Sequence, residues 1–183
     1  DAVSAVRLAS AAPLAAGPVL FETLDGRPFG IRPVLPIAAT QPPGDPGRLD
    51  GFRGRLAAEL LARLGSADGD PALAEALDRW ELSLFQVDPF RSEQLRSAFA
   101  ALLGDTWPLR ATVLLEPDPR RRSALHDLLS SLASGAPAGV EAADAARRML
   151  VAALRADDRA ALVRGLDEAL LGVGGREALG VAV

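Results

Sequence analysis

Phe52, Leu56, Leu60 and Leu64 recur at four-residue spacing. That spacing predicts a helix over 50–64, capped by Asp50 and followed by Gly65. The pattern changes either side of this segment. Residues 2–9 give a weak alternation that predicts a strand. Val19–Leu24 and Phe29–Ile37 flank Asp25-Gly26-Arg27-Pro28, and Asp-Gly between apolar runs predicts a β-hairpin. Pro33 and Pro36 cannot donate to a ladder, so the second arm is expected at a sheet edge or to end early. Residues 40–47 are a Pro/Gly loop.

Further on, Asp70-Pro71 opens a short helix to about Arg79. Trp80, Leu82 and Leu84 then alternate and predict a strand over 80–87. Asp88-Pro89 leads into a helix to Leu103 whose apolar face is Leu95, Ala98, Phe99 and Leu102, and Gly104 ends it. The apolar run 109–115 reads as the next strand. Asp118-Pro119 starts a helix with Leu125, Leu128, Leu129 and Leu132 on one face, and Val140–Arg155 and Asp157–Leu171 are helical. Gly172–Gly175 ends the last of these, and 178–183 reads as a short final strand.

Strand, helix and strand over 80–115 make a βαβ unit. The expected fold is therefore α+β: a mixed sheet with an N-terminal hairpin, helices mainly on one face, and a helical C-terminal portion. One domain is expected. Its regions are the hairpin (1–39), the loop (40–49), an α/β part (50–135) and a helical part (139–172).

Composition narrows the function classes. The chain has 183 residues, 49% of them hydrophobic, enough to bury a core without disulfides. No apolar run approaches the roughly 18 residues of a membrane span. A net charge of −4 argues against nucleic-acid binding, which needs a positive face for phosphate. Lysine, asparagine, tyrosine and cysteine are all absent, so every basic residue is arginine. Lysine, asparagine and tyrosine have AT-rich codons, so their absence points to a GC-rich bacterial genome and lowers the meaning of any single arginine. Without cysteine there is no thiolate metal site and no redox motif. The compartment stays open, with the cytoplasm favoured.

The candidate chemistry lies at the strand ends. Asp88 and Glu116 would sit at the carboxyl ends of neighbouring parallel strands, where ligands bind in such sheets. Asp118, Arg120 and Arg121 follow Glu116 closely. Acids bind divalent metal through oxygen, and arginines at a helix start bind phosphate. The competing account is simpler: Asp70-Pro71, Asp88-Pro89 and Asp118-Pro119 repeat one helix-start device, with aspartate capping and proline at the first helical position. His126 neighbours Asp127, but adjacent helical residues do not face each other. No G-x-S-x-G elbow accompanies it. Trp107, in a turn before the apolar run, is the candidate interface residue.

These features predict a non-catalytic protein–protein interaction or scaffold domain, within a larger protein or assembly. Its partner would be another protein or a second copy, with no cofactor. The alternative is a metal- or phosphate-binding enzyme or ligand-binding domain built on the five charged residues.

Overall fold

Leu73, Ala76, Leu77, Trp80 and Ser83 lie at helical spacing, and all five are buried on one helix that takes up the first half of the strand expected over 80–87. The computed structural model describes residues 2–10, 14, 19–33, 49–67, 69–156 and 158–173. Among them are eight helices: α1 (Ala2–Ser10), α2 (Gly51–Ala67), α3 (Pro71–Ser83), α4 (Phe90–Leu103), α5 (Trp107–Leu115), α6 (Arg122–Ala133), α7 (Val140–Arg155) and α8 (Arg159–Leu170). The fold is helical, not α+β, and the mixed sheet and βαβ unit are absent from the described residues.

Three segments expected as strands are helices, each for a physical reason. In α3, Trp80 continues the period set by Leu73 and Leu77, and the alternation of Trp80, Leu82 and Leu84 is incidental to it. In α5, Trp107 and Ala111 to Leu115 are all buried. A helix with so little polar surface carries no periodic signal and resembles a buried strand in sequence. Pro108 occupies its first turn, where no amide is needed, and Thr112 Oγ1 bonds back to the Pro108 carbonyl at 2.7 Å. The weak alternation of residues 2–9 likewise lies in α1, which buries Ala5, Leu8 and Ala9.

Strands β1 (Val19–Leu24) and β2 (Arg27–Pro33) pair antiparallel around Asp25-Gly26. Both turn residues have positive φ, 51° and 74°, as a two-residue hairpin turn of the primed kind requires. Pro33 pairs with Val19 at the open end. The loop over 40–47 and the final strand over 178–183 lie outside the described residues.

The long C-terminal helices follow their periodic signals closely. α7 is the hub: it packs against α1, α2, α3, α4, α5 and α6 and buries Ala142, Ala145, Ala146, Met149, Leu150 and Ala153. Alanine at most of these positions lets neighbouring backbones approach closely. Phe99 of α4 stacks on Trp107 at 4.7 Å between centroids, inside the same core.

Arginines tie the helices together by reaching helix C-termini, whose last carbonyls lack partners within the helix. Arg63 donates to the Leu154 and Arg155 carbonyls at 3.3 and 2.9 Å. Arg147 reaches Leu8 at 2.9 Å, Arg148 reaches Leu115 at 2.7 Å, and Arg96 reaches Leu132 at 3.4 Å. Arg159 reaches Leu102 at 3.3 Å and Arg110 reaches Leu103. Positive charge at that end also suits the helix dipole. Cross-helix ion pairs join Arg110 to Asp167, Arg155 to Glu59 and Arg159 to Asp70, at 2.7, 3.0 and 2.7 Å.

Candidate functional site

The Asp-Pro pairs at 70, 88 and 118 serve three purposes. Asp70 is a true N-cap: its Oδ1 accepts the Ala72 and Leu73 amides at 3.0 and 3.3 Å, with Pro71 starting α3. Its other oxygen accepts from Arg159 Nε at 2.7 Å. Burial pushes its carboxyl pKa up, but the bonds from Arg159, Leu73 and Ala72 outweigh that and leave it below the ordinary 3.8. Asp118 caps a turn instead, accepting the Arg120 amide at 3.0 Å, and α6 begins only at Arg122. Asp88 caps no helix: α4 starts after Pro89 without a side-chain cap, and Asp88 accepts the Ser92 hydroxyl hydrogen. Asp50 and Asp158 are caps outside the Asp-Pro series, taking the Arg53 and Ala160 amides at 2.8 Å each.

The candidate ligand residues divide accordingly. Asp88 lies between α3 and α4, whereas Glu116, Asp118, Arg120 and Arg121 lie together between α5 and α6. Within the second group, Glu116 Oε1 accepts the Asp118 amide at 3.0 Å, and Arg122 Nε donates to the Glu116 carbonyl at 3.0 Å. Among the described residues no three histidine or acidic side chains gather as a metal site requires. His126 Nε2 lies 3.3 Å from Ser130 Oγ, one turn along α6, while its Nδ1 stands 4.0 Å from Asp127. That second distance is too long for an orienting hydrogen bond.

Trp107, the candidate interface residue, is 5% exposed with its ring against Phe99, so its ring belongs to the core. A cleft of about 420 Å³ opens between the start of α3, the end of α7 and the start of α8. Leu73, Ala153 and Leu154 line it together with the Asp70–Arg159 ion pair. Asp70 already spends both carboxylate oxygens on the fold.

Elsewhere, exposed apolar side chains lie in two segments that a structural hydrogen bond joins. Ser92 Oγ, buried, accepts the Ala138 amide at 2.7 Å and donates to Asp88, tying the start of α4 to the loop before α7. In the two segments that this bond joins, Val87 and Phe90 precede Ser92 and Val140 follows Ala138; they are 70%, 60% and 80% exposed. Asp88, Glu93 and Glu141 are exposed in the same segments. The sequence holds a signal for Phe90: it precedes Leu95 by five positions, about 140° around the helix from the buried stripe. Ser92 offers no comparable local signal, because its partner is 46 residues away.

Comparison with known proteins adds no relative: no protein family, curated protein or solved structure matches this chain. No helix among the described residues is long and apolar enough to cross a membrane.

Proposed function

We propose that this chain is a non-catalytic interaction domain that presents the Val87–Phe90–Val140 surface to another protein chain. The observation that carries this reading is the exposure of three large apolar side chains in the two segments that one structural hydrogen bond joins. Apolar patches with polar rims mark interaction sites more often than scattered apolar residues do. An exposed aromatic side chain at the centre of such a patch is the usual anchor of an interface.

A photo-crosslinking residue placed at position 90 or 140 in the producing cell tests the reading. Each is expected to give a discrete protein adduct, whereas the same residue at exposed Asp78 on α3 gives none. Absence of adducts at both 90 and 140 overturns the reading. Thermal melting with Mg²⁺, Mn²⁺ and nucleotides adds an independent arm. A bound ligand raises the melting temperature by mass action, so a flat response is expected and a rise would favour ligand binding.

A further inference from the structure

Building on the interaction surface just described, we infer that its occupant is the Arg120–Arg121 corner of a second copy of this chain, joined head to tail. The argument is chemical. Phe90 offers an exposed aromatic ring, exposed Glu93 follows it by one turn of α4, exposed Asp88 precedes it by two residues, and exposed Glu141 follows the Ala138 amide that Ser92 holds. The Glu93 and Glu141 carboxylates have no partner among the described residues. An aromatic ring rimmed by carboxylates suits a guanidinium group, which stacks on the ring while its N–H groups meet the acids. The same kind of contact occurs among the described residues: the Arg7 guanidinium lies 4.9 Å from the Phe85 ring centroid.

The complementary surface is present on the same molecule. Arg120 and Arg121 are exposed on the connection between α5 and α6, and their side chains have no partner among the described residues. Pro117 and Pro119 are exposed beside them and add stiff apolar surface. Asp118 is engaged by the Arg120 amide, and Glu116 by the Asp118 amide, so the turn holds its own acids and leaves the arginines outward. The two faces differ, so the contact is heterologous and extends into rings or filaments unless the rotation closes it.

Sedimentation velocity of the full chain over a wide concentration range tests this. The unsubstituted chain is expected to grow beyond monomer, and the growth to weaken with salt because ion pairs at an interface rim are screened. Two variants each disable one face: Phe90→Glu with Val140→Glu, and Arg120→Glu with Arg121→Glu. Each alone is expected to stay monomeric. Their equimolar mixture is expected to form dimers and nothing larger, since each partner keeps one intact face, and this recovery also shows that both variants fold.

A monomeric unsubstituted chain overturns the inference. So does association that survives the arginine changes, which would mean that the apolar surface pairs with itself. A crosslinked adduct at position 90 whose mass is not a multiple of the 19.0 kDa chain, beside a monomeric purified chain, defeats this inference and leaves the interaction reading standing. Absence of any adduct defeats both.

Discussion

Asp70-Pro71 and Asp88-Pro89 are the same dipeptide before a helix, and the molecule uses them in opposite ways. Asp70 faces inward. It caps α3, and Arg159 on α8 fixes its second oxygen, so one carboxylate ties two helix starts together. Asp88 stands at the surface and holds a helix start only through Ser92, which in turn takes the Ala138 amide. Around Asp70 the apolar neighbour Leu73 is buried, whereas around Asp88 both Val87 and Phe90 are exposed. A local motif thus specifies a helix start without specifying whether that start becomes core or contact surface. What decides is the side chain that arrives from elsewhere in the chain: an arginine in one case and a serine-held amide in the other.

Removing Asp70 should break the contrast most severely. Asp70→Ala loses a cap, worth about 1 kcal/mol, and the charged hydrogen bond to half-buried Arg159, for a total of about 2–3 kcal/mol. Thermal unfolding should show a Tm lower by roughly 5–10 °C for a domain of this size. A decrease below about 1 kcal/mol would mean that the ion pair contributes nothing to the fold.

Next in size is Ser92→Ala. It leaves the buried Ala138 amide without its acceptor, and an orphaned buried donor costs about 1–3 kcal/mol. Urea unfolding should show a lower midpoint with an unchanged slope. Asp88→Ala should cost less, about 1 kcal/mol, because Ser92 still accepts from Ala138. If Asp88→Ala proves the more damaging of the two, the serine is not the link between α4 and α7.

Acid should expose the same asymmetry. The folded-state pKa of Asp70 lies below its unfolded value, so the unfolded chain binds more protons in the interval between them. Its stabilisation is complete above the ordinary 3.8 and is lost as pH falls through the lower folded value. Glu59 and Asp167 act in the same direction, held down mainly by hydrogen bonds from Arg155 and Arg110. Stability measured between pH 5 and pH 2 should therefore fall less steeply in Asp70→Ala than in the unsubstituted chain. Equal slopes would assign the acid sensitivity to the other carboxylates.

The smallest stability effect belongs to the contact surface. Phe90→Glu with Val140→Glu should change the unfolding free energy by no more than about 0.5 kcal/mol per site, as exposed substitutions usually do. A loss of several kcal/mol would show that these side chains serve the fold, and the comparison between the two Asp-Pro starts would fail with it.

Residue patterns made some of this molecule legible. Helices α4 and α7 lie where the spacing of Leu95, Phe99 and Leu102, and of the later alanines and leucines, predicts them, because each keeps a polar face that makes the period visible. The Asp25-Gly26 turn has the positive φ values that its residues favour. Helix α5 was not legible, since burying Trp107 and Ala111 through Leu115 erases the polar half of the pattern. The candidate site was legible only in part: the charged residues at 88, 116, 118, 120 and 121 stand out in the sequence, but the parallel strands expected to bring 88 beside 116 do not occur among the described residues. Trp107 stood out by rarity, and its burial against Phe99 depends on a packing partner that rarity cannot name.

The sequence by itself determined the helix-forming periods of the amphipathic helices, the tight turn and the Asp50 and Asp70 caps, because each depends on residues within about one turn of one another. Tertiary structure alone decided which helices bury most of their length, which carbonyl ends the arginines reach, and which apolar side chains stay in water. Those outcomes rest on contacts such as Arg147 with Leu8 and Arg63 with Arg155, 139 and 92 residues apart. Local spacing carries no information about who arrives across such a distance.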